Sequence, residues 1–194
     1  MAVADVHPTE RALVDAAVAL LETGTFRELT VARVTAAAGT SHGTFYLYFK
    51  NREDLLMRLV ERVGAALESE LERLDAQADP RESVRTGLRS FFSVARAHAP
   101  VLRAFTEAAT YSPRFTELFR AIRQRFRERL VDIFSRRGVI GLDLEVAAGA
   151  MVAMLEGFAL AWVIGGERSG SADDDAVVAT LETMWWRSLY AETS

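Results

Sequence analysis

The 194-residue chain contains no cysteine. Without thiols it can form neither a disulfide framework nor a thiolate zinc site, and it has no cysteine nucleophile. Residues 1–11, MAVADVHPTER, also lack the basic and apolar segments of a signal peptide. We therefore expect a protein of the reducing cytoplasm.

An excess of positive charge is missing as well, because 23 basic residues face 27 acidic ones and the net charge is −4. This balance excludes a uniformly basic, histone-like protein but allows a local basic patch. Lysine occurs once, as Lys50, so arginine carries almost all of the positive charge. With 50% hydrophobic and 26% charged residues, the composition is that of a soluble globular protein of one domain, or of two sharing a core.

The usual motifs of catalysis and metal binding are absent. The three histidines, His7, His42 and His98, do not stand at metal-ligand spacing, and the sequence contains no HExxH, GxGxxG or Walker A pattern. We therefore expect no metal, no cofactor and no enzymatic activity.

One long apolar run, residues 146–166, contains a single charge, Glu156. Its length would suffice to cross a bilayer. However, it is rich in Ala, Gly and Met, has a carboxylate near its centre, and lacks an aromatic belt with flanking basic residues. We expect a wholly buried helix instead of a membrane span, with Glu156 paired to an arginine of the 114–137 segment.

Apolar residues recur at helical spacing along nearly the whole chain, and strand-like alternation is absent. The sequence predicts an all-α protein of about nine helices. The predicted helix starts are marked by capping residues or prolines at Thr9, Thr30, Ser41, Asn51, Asp79–Pro80, Ser112–Pro113, Asp143 and residues 173–175.

Residues 30–54 have the form of a helix-turn-helix, because two short helices, 31–38 and 41–49, are joined by a turn containing Gly39. The second helix begins with small and polar residues, which let a backbone approach base edges closely. Residues 27–52 also carry four fixed basic charges against one acidic charge, a local net charge of +3. This segment therefore predicts a DNA-binding surface.

The N-terminal 55 residues resemble the DNA-binding domain of the TetR family of bacterial transcriptional repressors. The resemblance runs through Ala16, Ala17, Leu20, Gly24, Thr30, Val34, Ala37, Ala38, Gly39, Ser41, Gly43, Thr44, Tyr46, Phe49, Glu53, Leu55 and Leu56. It implies a helix-turn-helix domain over residues 1–54 and a ligand-binding and dimerisation domain over 55–194. The C-terminal part is similar to mycobacterial regulators of ethionamide activation, through RTGLRSFF at 85–92 and MWWRSLYAE at 184–192.

The resemblance also implies which residues meet DNA. Thr30 would bind a phosphate, and Arg52 stands where the family usually has a phosphate-binding lysine. His42 replaces the commoner Lys or Arg at a base-reading position, and Phe45 and Phe49 are expected to be core residues. The full predicted DNA-binding set is Thr30, Arg33, Thr40, Ser41, His42, Gly43, Thr44, Tyr46, Tyr48, Lys50 and Arg52.

Aromatic and methionine side chains of the C-terminal part form a candidate effector site, since such side chains suit an adaptable apolar cavity. For each single residue, simple core packing is an alternative role. We expect a small, mostly apolar effector to contact Phe92, Phe105, Tyr111, Phe115, Phe119, Met151, Met154, Leu155, Phe158, Trp162 and Trp185.

The last two helices predict a homodimer, because together they present more apolar surface than one subunit can cover. The predicted interface residues are Gly149, Ala153, Gly157, Trp186 and Tyr190. We thus expect a repressor that binds a pseudo-palindromic operator in double-stranded DNA as a dimer and is released by its effector. A transcriptional activator of the same fold, or a helical interaction module without specific DNA binding, are the alternatives.

Overall fold

A computed structural model describes residues 7–75, 79–164 and 174–190. Across these residues it contains nine α-helices, one π-helical segment and no strand, so the predicted all-α fold is confirmed. The helices are α1 (Pro8–Thr23), α2 (Val31–Ala37), α3 (His42–Tyr48), α4 (Arg52–Asp75), α5 (Pro80–Ala97), α6 (Ala99–Ala109), α7 (Pro113–Arg136), α8 (Leu144–Phe158), which continues as a π-helix (Ala159–Ile164), and α9 (Asp174–Tyr190).

Local capping decides where the short helices begin. The side chain of Thr30 accepts a hydrogen bond from the Arg33 amide at the start of α2, and Ser41 accepts one from the Thr44 amide at the start of α3. The Asn51 side chain accepts from the amide of Asp54 at 2.8 Å, at the start of α4. These contacts satisfy amide donors that have no partner within the helix, and they confirm the predicted caps.

The start of α1 differs from the prediction. The helix begins at Pro8, and its N-cap is His7, whose Nδ1 accepts a hydrogen bond from the Thr9 amide at 3.3 Å. Thr9, the predicted cap, therefore lies inside the first turn. The reason is that proline has no amide hydrogen to satisfy and its fixed φ suits the first helical position.

The chain divides into two compact units that are discontinuous in sequence. The first comprises Met1–Val63 and His98–Thr116, and the second comprises Gly64–Ala97 and Glu117–Ser194. The first unit therefore contains α6 and the first residues of α7 together with the helix-turn-helix. The predicted functional boundary after residue 54 stays a prediction, although no compact unit ends there.

Phenylalanine side chains fill the core of the first unit. Phe45 and Phe49, the core residues expected in α3, are 0% and 2% exposed. Phe26, in the loop after α1, packs edge-on against Phe115 at the start of α7 with 5.9 Å between ring centroids. Phe105 of α6 packs edge-on against the same Phe115 ring at 6.0 Å. Helix α3, the second helix of the helix-turn-helix, and the segment 98–116 are thus parts of one packed unit.

The core of the second unit joins α5, α7, α8 and α9. Its largest members include Phe92, Met151 and Trp185, and the Trp185 indole N–H donates to the sulfur of Met154 at 3.3 Å. A salt-bridged carboxylate lies at its edge: Glu182 is 3% exposed.

The partners of Glu182 are two arginines of α5. The Nε atoms of Arg81 and Arg85 donate to its two oxygens at 2.6 and 2.9 Å. These hydrogen bonds lower the pKa of Glu182, with the bond from Arg81 contributing most. The cluster fastens the start of α5 to α9, and no motif in the sequence identified it.

Helix α8 is not wholly buried in the single chain, so that expectation was wrong. Val146 is 68% exposed and Leu160 38% exposed, whereas Ala148 and Met151 are buried. A helix that is apolar on all sides still packs only part of its surface against the core it shares with α5, α7 and α9, and the rest stays exposed in the single chain. By length and composition alone, Leu144–Ala161 could also cross a membrane. The expected pairing of Glu156 is confirmed, since Arg123 lies 2.9 Å from its carboxylate.

Candidate DNA-binding surface and effector region

The turn between α2 and α3 has the geometry that its sequence predicts. Gly39 adopts a φ of +64°, a left-handed conformation that glycine tolerates far better than other residues. The amide of Thr40 donates to the carbonyl of Thr35 at 2.9 Å and closes the end of α2. This turn places the second helix of the motif against the first.

Helix α3 has a buried side and an exposed side. Phe45 and Phe49 enter the core, whereas Tyr46 is 59% exposed and Leu47 is 80% exposed. His42 and Gly43, which lie one turn before them, are also exposed. We call His42, Gly43, Tyr46 and Leu47 the outer face of α3. Leu47 is not among the predicted DNA contacts, although its spacing of four from Gly43 places the two residues on the same helical face.

Hydroxyl groups surround this outer face. The hydroxyl groups of Ser41 and Thr44 are hydrogen-bonded to each other at 2.9 Å, which connects the N-cap residue of α3 to its first turn. The Tyr48 hydroxyl is hydrogen-bonded to Nδ1 of His7 at 2.9 Å, which ties the recognition helix to the start of α1. Thr30 is exposed, and Thr40 is half-buried.

The basic residues of the motif differ in their exposure and in their hydrogen-bond partners. Lys50 is exposed, and its amide donates to the carboxylate of Asp54 at 3.1 Å. Arg33 is exposed but donates to the Glu28 carbonyl at 3.0 Å. The predicted phosphate contacts of both remain predictions.

Arg52 has a different environment from the other predicted DNA contacts. Its Nη1 lies within hydrogen-bonding distance of the carbonyls of Phe26, Arg27 and Leu29, at 3.1, 3.0 and 3.4 Å. Its guanidinium also lies over the Phe26 ring, 4.8 Å from the centroid. The side chain therefore holds the loop between α1 and α2, and its phosphate contact stays a prediction.

The predicted effector residues fall into both compact units. Phe105, Tyr111 and Phe115 belong to the first unit. In the second unit, Phe92, Met151 and Trp185 are buried, Phe119, Met154 and Leu155 are half-buried, and Phe158 is 37% exposed. The side chain of Trp162 lies outside the described residues. A shared cavity for the whole set remains a prediction.

A cleft of about 220 Å³ lies between α7 and α8, and three of the six residues that line it are arginines. It is formed by Arg120, Arg123, Gln124, Arg127, Gly149 and Val152. Arg123 pairs with Glu156, and Nε of Arg127 lies 3.1 Å from the carboxylate of Glu145. None of the predicted effector residues lines this cleft, whereas Gly149, predicted for the dimer interface, does.

The predicted dimer residues occupy different environments. Ala153 and Gly157 are exposed on α8, and Gly149 is half-buried. Trp186 and Tyr190 of α9 are half-buried and stack on each other, with ring centroids 4.6 Å apart. The exposed side of α8 therefore carries Ala153 and Gly157, whereas Gly149 lines the cleft between α7 and α8.

The all-α fold with an exposed recognition helix defines a helix-turn-helix DNA-binding protein. Comparison with known families agrees: residues 13–59 match the bacterial regulatory proteins of the tetR family, and residues 80–184 match the C-terminal domain of BetI-type transcriptional repressors. The chain belongs to the TetR family. It is thus a DNA-binding transcriptional repressor by family and not an enzyme, as the sequence predicted.

Individual relatives support this assignment. The chain is 32% identical to the HTH-type transcriptional regulator EthR of Mycolicibacterium smegmatis over 193 residues, covering 93% of this chain and 86% of the relative. The EthR of Mycobacterium tuberculosis is 29% identical, with 94% and 88% covered. The predicted likeness to mycobacterial regulators is therefore confirmed.

Solved structures share the fold. A TetR-like transcriptional regulator from Rhodococcus sp. RHA1 superimposes with a TM-score of 0.72 at 26% identity, covering 95% of this chain and 97% of the other. The regulator FadR of Bacillus subtilis, in complex with stearoyl-CoA, has a TM-score of 0.74 at 22% identity, with 90% and 96% covered.

Proposed function

We propose that the outer face of α3 reads the bases of an operator in the major groove. The observation that carries this proposal is the exposure of Tyr46 and Leu47, two large side chains on the helix whose other side is buried. An apolar side chain can contact the 5-methyl group of thymine, and His42 can hydrogen-bond to a base edge. Gly43 has no side chain, so the helix backbone can come close to the base edges at this position.

The residues around the outer face would hold the phosphates and fix the position of the helix. We assign this role to Thr30, Arg33, Thr40, Ser41, Thr44, Tyr48 and Lys50, whose hydroxyl or charged groups border α3. Arg52 would support this DNA-binding surface indirectly, because it holds the loop between α1 and α2 that precedes the helix-turn-helix. Contacts of this kind supply affinity without sequence information.

Gel-shift titrations with the upstream region of the protein's own gene test this role. We expect a complex that survives an excess of scrambled duplex and weakens steeply as salt rises, because each neutralised phosphate releases counterions. Equal affinity for the scrambled duplex at every salt concentration would contradict sequence-specific binding and favour an interaction module without specific DNA binding.

We further propose that the protein binds its operator as a homodimer formed through α8 and α9. The exposed side of α8 presents Val146, Ala150, Ala153 and Gly157, and Leu160 continues it in the π-helical segment, at alternating spacings of four and three residues. This spacing produces a continuous apolar stripe that suits the packing of two helices. A second copy of the chain is the occupant that also supplies a second recognition helix, as a pseudo-palindromic operator requires.

The effector that we propose is a small, mostly apolar molecule bound by the second unit. Its support is the concentration of Phe92, Met151, Met154 and Trp185 in and around one core. The shared fold with FadR, whose structure contains stearoyl-CoA, makes acyl compounds the first class to test. Acyl-CoAs, free fatty acids and aromatic compounds would be compared for their ability to release the operator.

A cytoplasmic location follows from this role, because the operator lies in the cytoplasm and α8 is assigned to an interface between subunits. Nucleoid association then depends on DNA binding alone. Fluorescence microscopy of a tagged chain would show nucleoid signal for the wild type and diffuse cytoplasmic signal for a variant that cannot bind DNA. A membrane-localised signal would contradict the assignment of α8.

A further inference from the structure

The loop between α1 and α2 is held from two sides by opposite charges. On one side, the carboxylate of Glu107 in α6 accepts hydrogen bonds from the backbone amides of Phe26 and Arg27, at 2.9 and 3.3 Å. On the other side, Arg52 of α4 binds the carbonyls of Phe26, Arg27 and Leu29. The same short backbone segment thus has its donors bound by α6 and its acceptors bound by α4.

Aromatic packing reinforces this arrangement. Phe26 is fully buried, lies edge-on against Phe115 and has the Arg52 guanidinium over its ring. The guanidinium of Arg27 lies over the ring of Tyr111, 5.7 Å from the centroid. Three segments distant in sequence, α4, α6 and the start of α7, therefore converge on residues 26–29 of the loop.

This loop determines where the helix-turn-helix begins. Leu29, whose carbonyl lies within reach of Arg52, directly precedes Thr30, the cap of α2. A shift of the loop would carry the start of α2 with it and, through the tight turn at Gly39, the position of α3. Small displacements matter here, because base and phosphate contacts require hydrogen-bonding distances.

We propose that Glu107 is a positioning residue for DNA recognition. Although it lies 81 residues after Phe26 and within the segment that the sequence assigned to effector binding, it acts on the DNA-binding helices through the backbone amides of the loop. Helix α6, which belongs to the same compact unit as the helix-turn-helix, therefore contributes to DNA recognition.

The chemistry of the contact requires a carboxylate. The backbone amides of two adjacent residues each donate a hydrogen bond, and Glu107 accepts the two bonds with different carboxylate oxygens. A glutamine has a single acceptor oxygen, and an alanine has none. The variants Glu107→Gln and Glu107→Ala therefore form a graded series with one and two donors left without their acceptor.

The experiment compares these two variants with Glu117→Ala, a matched control at an exposed glutamate of α7. Operator affinity is measured by fluorescence anisotropy, and hydrogen exchange is followed at the amides of Phe26 and Arg27. Charged hydrogen bonds of this kind justify an expected loss of affinity of about tenfold for Glu107→Ala, with an intermediate loss for Glu107→Gln. Exchange at both amides should accelerate in the same order, and the control should match the wild type.

Thermal unfolding separates positioning from general destabilisation. If Glu107→Ala does not fold, Glu107→Gln supplies the measurement, because it retains one acceptor and the size of the side chain. A folded Glu107→Gln protein with wild-type affinity and wild-type exchange at residues 26–27 would overturn the proposal. So would a loss of affinity without faster exchange at these amides, because Glu107 would then act by another route.

Discussion

The carboxylate of Glu156 on α8 lies 2.9 Å from Nε of Arg123 on α7, yet burial has the larger effect on its protonation. Desolvation raises the pKa of Glu156, and the positive charge of Arg123 only partly opposes this shift. The pair contrasts with Glu182, whose pKa is lowered by two arginines. The ionisation of half-buried Glu156 therefore opposes folding, whereas the ionisation of buried Glu182 favours it.

Replacing Glu156 by Gln should leave the free energy of unfolding at neutral pH unchanged or raise it by up to about 1 kcal/mol. A carboxyl group whose pKa is raised on folding opposes folding when it is ionised, and this cost disappears as pH falls through its folded and then its unfolded pKa. The stability difference between the variant and the wild type should therefore shrink on acidification. Urea denaturation at a series of pH values measures it; a large destabilisation at neutral pH would contradict the dominance of burial.

Replacing Glu182 by Gln should have the opposite effect. Because the folded pKa of Glu182 is lowered, its contribution is fully present above the unfolded value and is lost as pH falls through the folded one. We expect a loss of about 2 kcal/mol at neutral pH, reduced by the partial exposure of Arg81 and Arg85. The same denaturation series would show this loss diminishing in acid. Glu61→Gln, at an exposed glutamate of α4, is the control, and equal losses in both variants would refute the prediction.

Removing the His42 side chain should alter which operators are preferred. If the imidazole hydrogen-bonds to a base, His42→Ala costs about 1–3 kcal/mol at one or two positions of each half-site and little elsewhere. Selection from a randomised operator library, with Glu22→Ala as the exposed control on α1, reports the preference at each position. Unchanged affinity and preference would show that His42 does not read bases.

Shortening Leu47 tests whether its exposed side chain contacts thymine methyl groups. Substituting uracil for thymine in the operator removes only the 5-methyl group, so the wild type should bind the uracil operator several-fold more weakly. Leu47→Ala should bind thymine and uracil operators alike, since the apolar contact is then lost in both cases. Ile140→Ala, which shortens an 83% exposed side chain outside the helix-turn-helix, is the matched control. Equal discrimination by Leu47→Ala and the wild type would exclude the contact.

Introducing a charge at Gly157 should produce a monomer that no longer binds the operator. Gly157 is exposed, and a Cβ added there meets no atom within 4 Å, so a side chain can leave the helix at this position without a clash in the single chain. Sedimentation velocity at micromolar concentration should show a dimer for the wild type and a monomer for Gly157→Glu. Ala121→Glu, at an exposed position of α7, should remain dimeric. A monomeric wild-type protein would refute the proposed interface.

Sequence alone determined the features that depend on neighbours a few residues away. Thr30, Ser41, Asn51 and Asp143 cap their helices as predicted, because a cap binds an amide two or three residues further along. The positive φ of Gly39 and the burial of Phe45 and Phe49 follow from equally local patterns. These features together define the helix-turn-helix, which is why the family could be identified from the residues.

Tertiary structure alone decided the contacts between distant segments. Glu107 meets a loop 81 residues before it, and Arg81 meets Glu182 across 101 residues, so neither pair leaves a periodic signal in the sequence. The sequence also did not predict which side of α8 is exposed, since a helix that is apolar on all sides does not show which of its faces the neighbouring helices cover. Local hydrogen bonds require only the right residue at the right spacing, whereas these contacts depend on how whole helices pack.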